Sequence, residues 1–211
     1  MAVIPFYGTD HPELFAIERA AMDRPGLVID RLNDVLPRGT VLDIGAGDGF
    51  TAQRLARPDR TIIAVEPASG MISQTRPLTW VRADAEALPF RDGSVDGAYA
   101  TWAYFFSRGF DPTPGIAELH RTVRRGGSLV IAENLGGDEF CSLAPSDISA
   151  DPTFWTKQGF TLEVIETEFS FEKAEEALRL LTYYFGNVGP TPPTRLTYRV
   201  GLFVGESRGP T

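Results

Sequence analysis

Residues Val41-Leu42-Asp43-Ile44-Gly45-Ala46-Gly47-Asp48-Gly49 form an apolar run with one acidic residue that ends in alternating glycines. The first four residues are β-prone and apolar toward both faces, which is typical of a strand buried on both sides of a parallel sheet. Glycines between such a strand and a helix let a ligand approach the backbone and turn helix N-terminal N–H groups toward an anionic group. The stretch therefore predicts either a nucleotide-binding turn or a purely structural strand-to-helix connection.

Further buried-strand patterns follow, and helical patterns separate them. The strands are predicted at Ile62–Val65, Trp80–Val81, Val95–Ala100 and Leu129–Ala132. The helices are predicted from Phe50 to Ala56, near Ser69 to Gln74, and along Ile116, Leu119, His120 and Val123 up to Gly126-Gly127. Because strands and helices alternate five times, the pattern predicts a parallel, doubly wound α/β sheet whose ligands bind at the carboxyl ends of strands.

Helical patterns also precede this region, and a mixed pattern follows it. The first helix is predicted to start at a capping pattern from Asp10 to Glu13, and a second helix ends at Pro37-Arg38-Gly39. The later elements are a helix at 152–158, a strand near Leu162–Ile165, a helix capped by Ser170 that reaches Phe185, and a strand at Leu196–Val204. The two late strands are expected to pair at the sheet edge.

The composition favours one domain and a small-molecule partner. A chain of 211 residues with 43% hydrophobic content can bury one substantial core, so we expect a single domain over 1–211. Its expected parts are an N-terminal helical cover (1–38), a cofactor-binding core (39–134) and a C-terminal sheet edge with an inserted helix (135–211). The net charge of −8 disfavours nucleic acid and anionic membranes as partners.

The residue types also limit the chemistry. Cys141 is the only cysteine and His11 and His120 are the only histidines, so an internal disulfide is impossible and a metal site is poorly supplied. The segment Met1–Phe6 has neither a basic leader nor an apolar h-region, and no apolar run approaches the length of a membrane span. We therefore expect a cytoplasmic protein without a metal.

Two cofactor classes compete for the glycines. The dinucleotide fingerprint G-x-G-x-x-G would require its third glycine where Phe50 stands, which counts against NAD. A phosphate loop is disfavoured because no G-K-[ST] follows the glycines. Glu66 stands 21 positions after Gly45, where an acidic side chain at a strand end can accept both ribose hydroxyls and leaves no room for a ribose phosphate. An NAD-dependent oxidoreductase stays open as an alternative.

Several separated motifs then give the chain a family resemblance. They are Val41–Gly49, Ala64-Val65-Glu66-Pro67 with Met71, Asp84-Ala85-Glu86-Ala87-Leu88-Pro89-Phe90, Ser94-Val95-Asp96 and Arg124-Arg125-Gly126-Gly127. In these motifs the chain resembles the class I S-adenosylmethionine-dependent methyltransferases, and within them the UbiE-like branch called methyltransferase type 11. The resemblance runs from about Gly39 to Asn134. It implies a Rossmann-like three-layer sandwich with a mostly parallel seven-stranded sheet in the order 3-2-1-4-5-7-6.

The resemblance also implies a set of contacts to S-adenosylmethionine. Asp43 would lie under the methionine ammonium, and Gly45 and Gly47 would pass close to the methionine part. Asp84 would accept a hydrogen bond from the adenine amino group, and the Ala85 backbone N–H would reach the ring. The apolar walls would be Met71 and Leu88. The full cofactor set is Asp43, Gly45, Ala46, Gly47, Gly49, Glu66, Pro67, Met71, Asp84, Ala85, Glu86, Thr101 and Tyr7.

No residue is assigned as the catalyst. Methyl transfer resembles an in-line displacement at a sulfonium whose charge disappears in the transition state, so positioning and desolvation matter more than covalent help. The candidates to orient a substrate or act as a base are Glu133, Asn134, Tyr104 and His11. The aromatic cluster Trp102, Tyr104, Phe105 and Phe106 is explained equally well by core packing and by substrate contact.

The predicted activity is methyl transfer from S-adenosylmethionine to a small molecule, at oxygen or nitrogen rather than carbon. The stretch Ala100-Thr101-Trp102-Ala103 stands where an Asn/Asp-Pro-Pro-Tyr motif would follow the fourth strand, which argues against methylation of bases or glutamine amides. A non-catalytic S-adenosylmethionine-binding regulator is a further alternative. The protein is expected to be a monomer or homodimer.

Overall fold

The computed structural model describes residues 10–73, 75–103 and 111–210. The strands are β1 Gly39–Ile44, β2 Arg60–Val65, β3 Thr79–Val81, β4 Val95–Thr101, β5 Val123–Asn134, β6 Thr161–Ser170 and β7 Arg195–Glu206. The helices are α1 Pro12–Ala21, α2 Leu27–Val35, α3 Phe50–Leu55, α4 Thr113–Thr122, α5 Glu139–Ser142, α6 Pro152–Lys157 and α7 Ala174–Phe185.

The strands form one seven-stranded sheet in the order β3-β2-β1-β4-β5-β7-β6, which confirms the predicted fold class and strand order. The five strands from β3 to β5 are parallel, and β7 runs antiparallel to both of its neighbours. The carboxyl ends of β1, β2, β4 and β5 consequently meet at one edge of the sheet.

Side chains of the buried strands alternate between two cores. On β1, Val41 belongs to one hydrophobic core and Leu42 and Ile44 belong to the other. The first core is closed by helices α1, α2, α3, α5 and α7. Helices α4 and α6 close the second core with Leu119 and Trp155. This arrangement gives three layers, and it places α1 and α2 on the face of the sheet that carries Val41.

Two predicted helix starts are wrong. Helix α1 begins at Pro12 after His11, which makes no side-chain capping bond, so the helix does not use the predicted cap at Asp10. Ser170 is the last residue of β6 and pairs with Arg195 of β7, because the ladder continues to that point. Helix α7 instead follows Lys173, whose backbone N–H donates to the Glu176 carboxylate at 3.3 Å.

Two glycines predicted to end a helix lie inside a strand. Helix α4 already ends at Thr122, and β5 runs through Gly126 and Gly127. A Cβ on Gly127 would come within 2.5 Å of the Asp96 carbonyl oxygen on β4, so a larger residue there would clash with the neighbouring strand. Gly127 therefore permits close strand approach, whereas Gly126 has a left-handed φ of 73° and open space at its Cβ position.

The connections on either side of β3 are irregular. The helix predicted near Ser69 is absent from the described residues between β2 and β3, where Met71 N–H closes a turn on the Ala68 carbonyl at 2.9 Å. Gln74, its predicted end, lies outside the described residues. The alternation of strands and helices is thus interrupted at β3, the edge strand of the sheet, which turns rather than a helix connect to β2.

Candidate active site

A cavity of about 820 Å³ opens at the carboxyl edge of the sheet, beneath α1 and α2. Its volume lies within the range of roughly 300–1,000 Å³ that is typical of small-molecule sites. One part, which we call the glycine end, is lined by 45–48, 66–68 and 83–85. The other part, which we call the aromatic end, is lined by Val28, Ile29, Leu32, Trp102, Asn134, Phe140, Ile148, Tyr184 and Phe185.

The glycine loop after β1 turns through left-handed backbone conformations. Gly45, Gly47 and Gly49 have φ values of 72°, 56° and 77°, which residues with a Cβ rarely adopt. A Cβ on Gly49 would lie 2.6 Å from Leu78 and 2.9 Å from Trp80. Gly45 and Gly47 line the cavity, whereas Gly49 lies outside the lining and allows the start of α3 to pack against β3.

Glu66 connects the end of β2 to this loop. Its carboxylate accepts hydrogen bonds from the backbone N–H groups of Gly47 at 2.9 Å and Ala68 at 2.8 Å. Burial raises the pKa of Glu66, and these two N–H groups act in the opposite direction. Because a carboxylate has about four lone-pair positions, each oxygen can accept one more hydrogen bond from a ligand.

Asp43 is a buried carboxyl group on β1, two residues before Gly45. It is 1% exposed, and its oxygens make no hydrogen bond of regular geometry among the described residues, although the Tyr99 hydroxyl interacts with the carboxyl group. Burial raises the pKa of Asp43 to about 7; the Tyr99 hydroxyl on β4 opposes this shift, and the charge of Glu66 adds to it. Asp43 does not line the cavity itself. A cation bound nearby would favour its ionised form.

The other wall of the glycine end follows β3. Asp84 and Ala85 line the cavity, and the Asp84 carbonyl accepts the Ala87 N–H at 3.1 Å in a turn. Met71 is buried beside the glycine loop, and Leu88 is buried with its N–H on the Glu118 carboxylate at 2.8 Å. The remaining predicted residues divide between the lining (Ala46, Pro67, Thr101) and positions outside it (Met71, Glu86).

Helix α1 is fastened over the glycine end by a charged cluster that the sequence motifs did not indicate. Arg19 on α1 pairs with the Asp48 carboxylate, and Arg76 contacts the same carboxylate oxygen at 3.1 Å. The guanidinium groups of Arg54, Arg19 and Arg76 lie 4.6, 5.2 and 5.8 Å from the ring centroid of Phe50. Such cation–π contacts add to the attraction between the cover and the loop.

The aromatic end contains a small polar group among apolar side chains. Trp102 directly follows β4 with a φ of 46°, unusual for a bulky residue, and its ring stacks on that of Tyr198 with centroids 6.3 Å apart. The Tyr198 hydroxyl donates to Asn134 Oδ1, and Asn134 Nδ2 donates to the Ile148 carbonyl at 3.4 Å. The Trp102 indole N–H is buried and interacts with the Tyr198 hydroxyl, but it makes no hydrogen bond of regular geometry among the described residues.

The structure separates the four catalytic candidates. Asn134 lines the cavity. Glu133 lies outside the lining, fully buried, with both oxygens unpartnered among the described residues and its pKa raised well above the usual value by burial. His11 also lies outside the lining, where its ring contacts Tyr183 edge-on at 5.1 Å. Tyr104 lies outside the described residues, as do the cofactor candidate Tyr7 and the ring residues Phe105 and Phe106.

The described residues offer little other reactive chemistry. They contain no group of three or more His, Cys, Asp or Glu side chains that could hold a metal ion. Burial raises the pKa of the Cys141 thiol to about 12, which keeps the sulfur protonated and unreactive at neutral pH. None of the helices among these residues is both long and apolar enough to cross a membrane.

Comparison with known proteins finds the same fold and domain. The family model of a methyltransferase domain matches residues 42–131. Demethylmenaquinone methyltransferase of Renibacterium salmoninarum is 33% identical over 111 residues, which are 51% of this chain and 46% of that protein. The enzyme of the same name from Beutenbergia cavernae is 37% identical over 102 residues, which are 46% and 41% of the two chains. This chain thus matches less than half the length of these relatives.

Among solved structures, the YcgJ protein of Bacillus subtilis superposes with a TM-score of 0.59 at 18% identity, covering 87% of this chain and 97% of that one. This similarity concerns the fold. The sheet order and the domain match agree with each other. They confirm the resemblance of this chain to the class I S-adenosylmethionine-dependent methyltransferases of the methyltransferase type 11 branch.

Proposed function

We propose that this protein is an S-adenosylmethionine-dependent methyltransferase with a small-molecule acceptor. The observation that carries the proposal is the convergence of Glu66, the loop 45–48 and Asp84 on one end of a single cavity, above an unpartnered buried Asp43. Each of these groups suits a different part of a nucleoside that bears an amino-acid chain. The domain match over 42–131 supports the same conclusion.

The cofactor would occupy the glycine end. Glu66 would accept the ribose hydroxyls through its remaining lone pairs, and Asp84 and Ala85 would recognise the adenine. The Asp43 carboxylate would stabilise the methionine ammonium, which in turn would favour its ionised form. When bound, S-adenosylmethionine supplies a methyl group on a positively charged sulfur. The protein holds the acceptor in line with that methyl group and excludes water.

The aromatic end would hold the acceptor, and we favour transfer to oxygen or nitrogen over carbon. A lone pair on a heteroatom can attack the methyl group directly, so the site needs mainly to position it. The support for this preference is that Asn134 is the only one of the four catalytic candidates found in the described lining. Nucleic acid and membranes stay disfavoured by the charge of −8. The cytoplasmic location, the three-part single domain and the monomeric or homodimeric state stay predictions.

Binding experiments separate this proposal from its alternatives. Calorimetric titration of the purified protein with S-adenosylhomocysteine and, separately, with NADH should show tighter binding of S-adenosylhomocysteine. Tighter binding of NADH would overturn the proposal in favour of an oxidoreductase. If the protein binds the cofactor but transfers no labelled methyl group to a broad set of acceptors, the non-catalytic regulator becomes the better interpretation.

A further inference from the structure

The polar groups that the aromatic end leaves unused are hydrogen-bond donors. Asn134 Oδ1 already accepts a hydrogen bond from the Tyr198 hydroxyl, while its amide nitrogen carries two N–H groups and makes one long bond, to the Ile148 carbonyl. The Trp102 indole N–H has no hydrogen-bond partner among the described residues. Two donors at the ends of neighbouring strands therefore lack a full set of acceptors among the described residues.

The Asp23 carboxylate on this side of the cavity is already hydrogen-bonded within the protein. Asp23 lines the cavity, but its oxygens accept the N–H groups of Leu27 at 3.1 Å and Val28 at 2.9 Å and the Thr167 hydroxyl at 2.7 Å. These bonds cap the start of α2 and anchor it to β6. Among the described side chains of the aromatic end, the N–H groups of Asn134 and Trp102 are thus the donors left for a ligand, which satisfies them best by bringing its own acceptor oxygen.

The side chains that line the aromatic end also restrict the protonation state of the attacking atom. An alcohol must lose a proton when it is methylated, and an aliphatic amine is an ammonium ion near neutral pH and must lose one before it can attack. The nine described residues named as lining the aromatic end carry no carboxylate or imidazole to take that proton, and the Asp23 carboxylate on the same side of the cavity is held by Leu27, Val28 and Thr167. A carboxylic acid avoids this requirement because it is already ionised at neutral pH.

We infer that the acceptor is a mainly apolar carboxylic acid, held at its carboxylate by the N–H groups of Asn134 and Trp102. This inference rests on the proposed function and names its substrate class. One carboxylate oxygen donates a lone pair to the methyl carbon, the carbon–sulfur bond breaks, and its electron pair stays on sulfur. The products are a methyl ester and S-adenosylhomocysteine. No proton is transferred, and the opposite charges of carboxylate and sulfonium cancel, which an apolar cavity favours.

Matched sets of probes test the substrate class. The protein saturated with S-adenosylhomocysteine is titrated with 4-phenylbutyrate, decanoate and dodecanoate, and with the alcohol and the amine of each carbon skeleton. We expect each carboxylate that binds to do so at least about tenfold more tightly than its alcohol or amine, because hydrogen bonds to a charged group are stronger than neutral ones. With S-adenosylmethionine, mass spectrometry should show the methyl ester.

The variant Asn134→Asp probes the donor without removing the partner of Tyr198. It keeps an oxygen for the Tyr198 hydroxyl and replaces the N–H₂ group by a second oxygen. Affinity for the carboxylate should fall about tenfold or more, while affinity for the matched amine should stay equal or increase. Asn187→Asp is the control, since Asn187 is exposed, lies outside the lining and uses only its oxygen, which accepts the Gly189 N–H at 3.0 Å.

The variant Trp102→Phe gives a second test, because it keeps an aromatic ring and removes the indole N–H together with part of the larger indole ring. It should weaken carboxylate binding several-fold and leave S-adenosylhomocysteine binding unchanged. Preference of the wild type for the alcohols or amines, failure of every carboxylate to bind, or an unchanged preference in Asn134→Asp would overturn the inference. Failure of S-adenosylhomocysteine to bind would instead overturn the proposed function, so the two failures are distinguishable.

Discussion

The two ends of the cavity are built from different kinds of sequence. The glycine end comes from consecutive strand ends, and its polar groups contact residues close in the chain, as when Glu66 accepts the N–H groups of Gly47 and Ala68. The aromatic end joins distant segments, as when the Tyr198 hydroxyl reaches Asn134 across 64 positions. The comparison shows that the strand ends of the fold itself supply the glycine end, whereas the aromatic end combines the ends of β4 and β5 with helices before and after the core.

The difference in chemistry between the two ends follows from the different structural elements that form them. Strand ends and tight turns expose backbone N–H groups and carboxylates, which suit a polar nucleoside. Helices α2 and α7 bury one apolar face against the sheet and leave Leu32, Tyr184 and Phe185 at the cavity. Changes at the glycine end should therefore alter cofactor binding, and changes at the aromatic end should alter acceptor binding alone.

The largest effect is expected at Glu66. Glu66→Gln keeps the shape of the side chain but removes its charge and one of its two acceptor oxygens, so S-adenosylhomocysteine affinity should fall about 100-fold. Calorimetry measures this change. Glu175→Gln is the matched control, since Glu175 is exposed on α7 and lies outside the lining. Equal affinity of Glu66→Gln and wild type would refute the ribose assignment and erase the difference between the two ends.

The next effect is a pH dependence that originates at Asp43. Its pKa is about 7 in the cofactor-free protein, so the carboxyl is mostly neutral at pH 6 and mostly ionised at pH 8. Because the cofactor ammonium favours the ionised form, S-adenosylhomocysteine affinity should rise about tenfold between these values and then level off. Asp43→Asn should bind more weakly at pH 8 and show a flat profile. A wild-type affinity independent of pH would contradict the role given to Asp43.

The raised pKa of Asp43 also predicts how the stability of the cofactor-free protein changes with pH. Folding raises the pKa of Asp43 from an ordinary carboxyl value to about 7, so the folded state binds the proton more tightly than the unfolded state. The contribution of Asp43 to the free energy of unfolding is therefore full below about pH 4 and is lost as the pH rises toward 7. In urea denaturation, Asp43→Asn should gain stability relative to wild type across that interval. A difference in the free energy of unfolding between the two proteins that stays constant with pH would count against the raised pKa of Asp43.

A smaller effect is expected from the charged cluster that fastens α1. Arg19→Gln removes the pair with Asp48 and the contact with Phe50, so S-adenosylhomocysteine should dissociate about two- to fivefold faster, in keeping with a partly exposed ion pair. Stopped-flow fluorescence measures the rate. Arg179→Gln, which breaks the 3.7 Å pair between α7 and Glu13 of α1 outside the cavity, should leave it unchanged. Equal rates in all three proteins would show that the cover does not gate the site.

The smallest effect is expected at the aromatic end. Ile148→Ala should leave S-adenosylhomocysteine affinity within about twofold of wild type, because Ile148 lies among the acceptor contacts and away from the glycine loop. Calorimetry tests this directly. A tenfold loss would show that the two ends do not act independently.

Much of the fold and of the glycine end could be predicted from the sequence, because their determinants are local. The strand patterns indicated the sheet, and the spacing from Gly45 to Glu66 placed both residues at one cavity. Other features depend on contacts between distant segments. Ser170 is a strand residue because β7 pairs with it, and Gly127 lies in β5 because β4 passes close by.

The charged cluster and the donor group had no sequence signal of this kind. Arg19 meets Asp48 only after α1 folds back over the loop, 29 positions away. Trp102 is one of four neighbouring aromatics, and its sequence alone does not show that its indole N–H is left without a partner. Glu133 had a sequence signal that was misleading, because its place at the end of β5 suggested a pocket residue. Side-chain alternation along β5 instead places it on the face of Leu129 and Ile131, which belong to the second core and lie outside the cavity lining.

A crystal structure of the complex with S-adenosylhomocysteine tests the central claim most directly. The account predicts density in the glycine end, with the ribose hydroxyls hydrogen-bonded to Glu66, the adenine against Asp84 and Ala85, and the aromatic end left open to an acceptor. Density for the ligand in the aromatic end, or a nucleoside that does not contact Glu66, would contradict it.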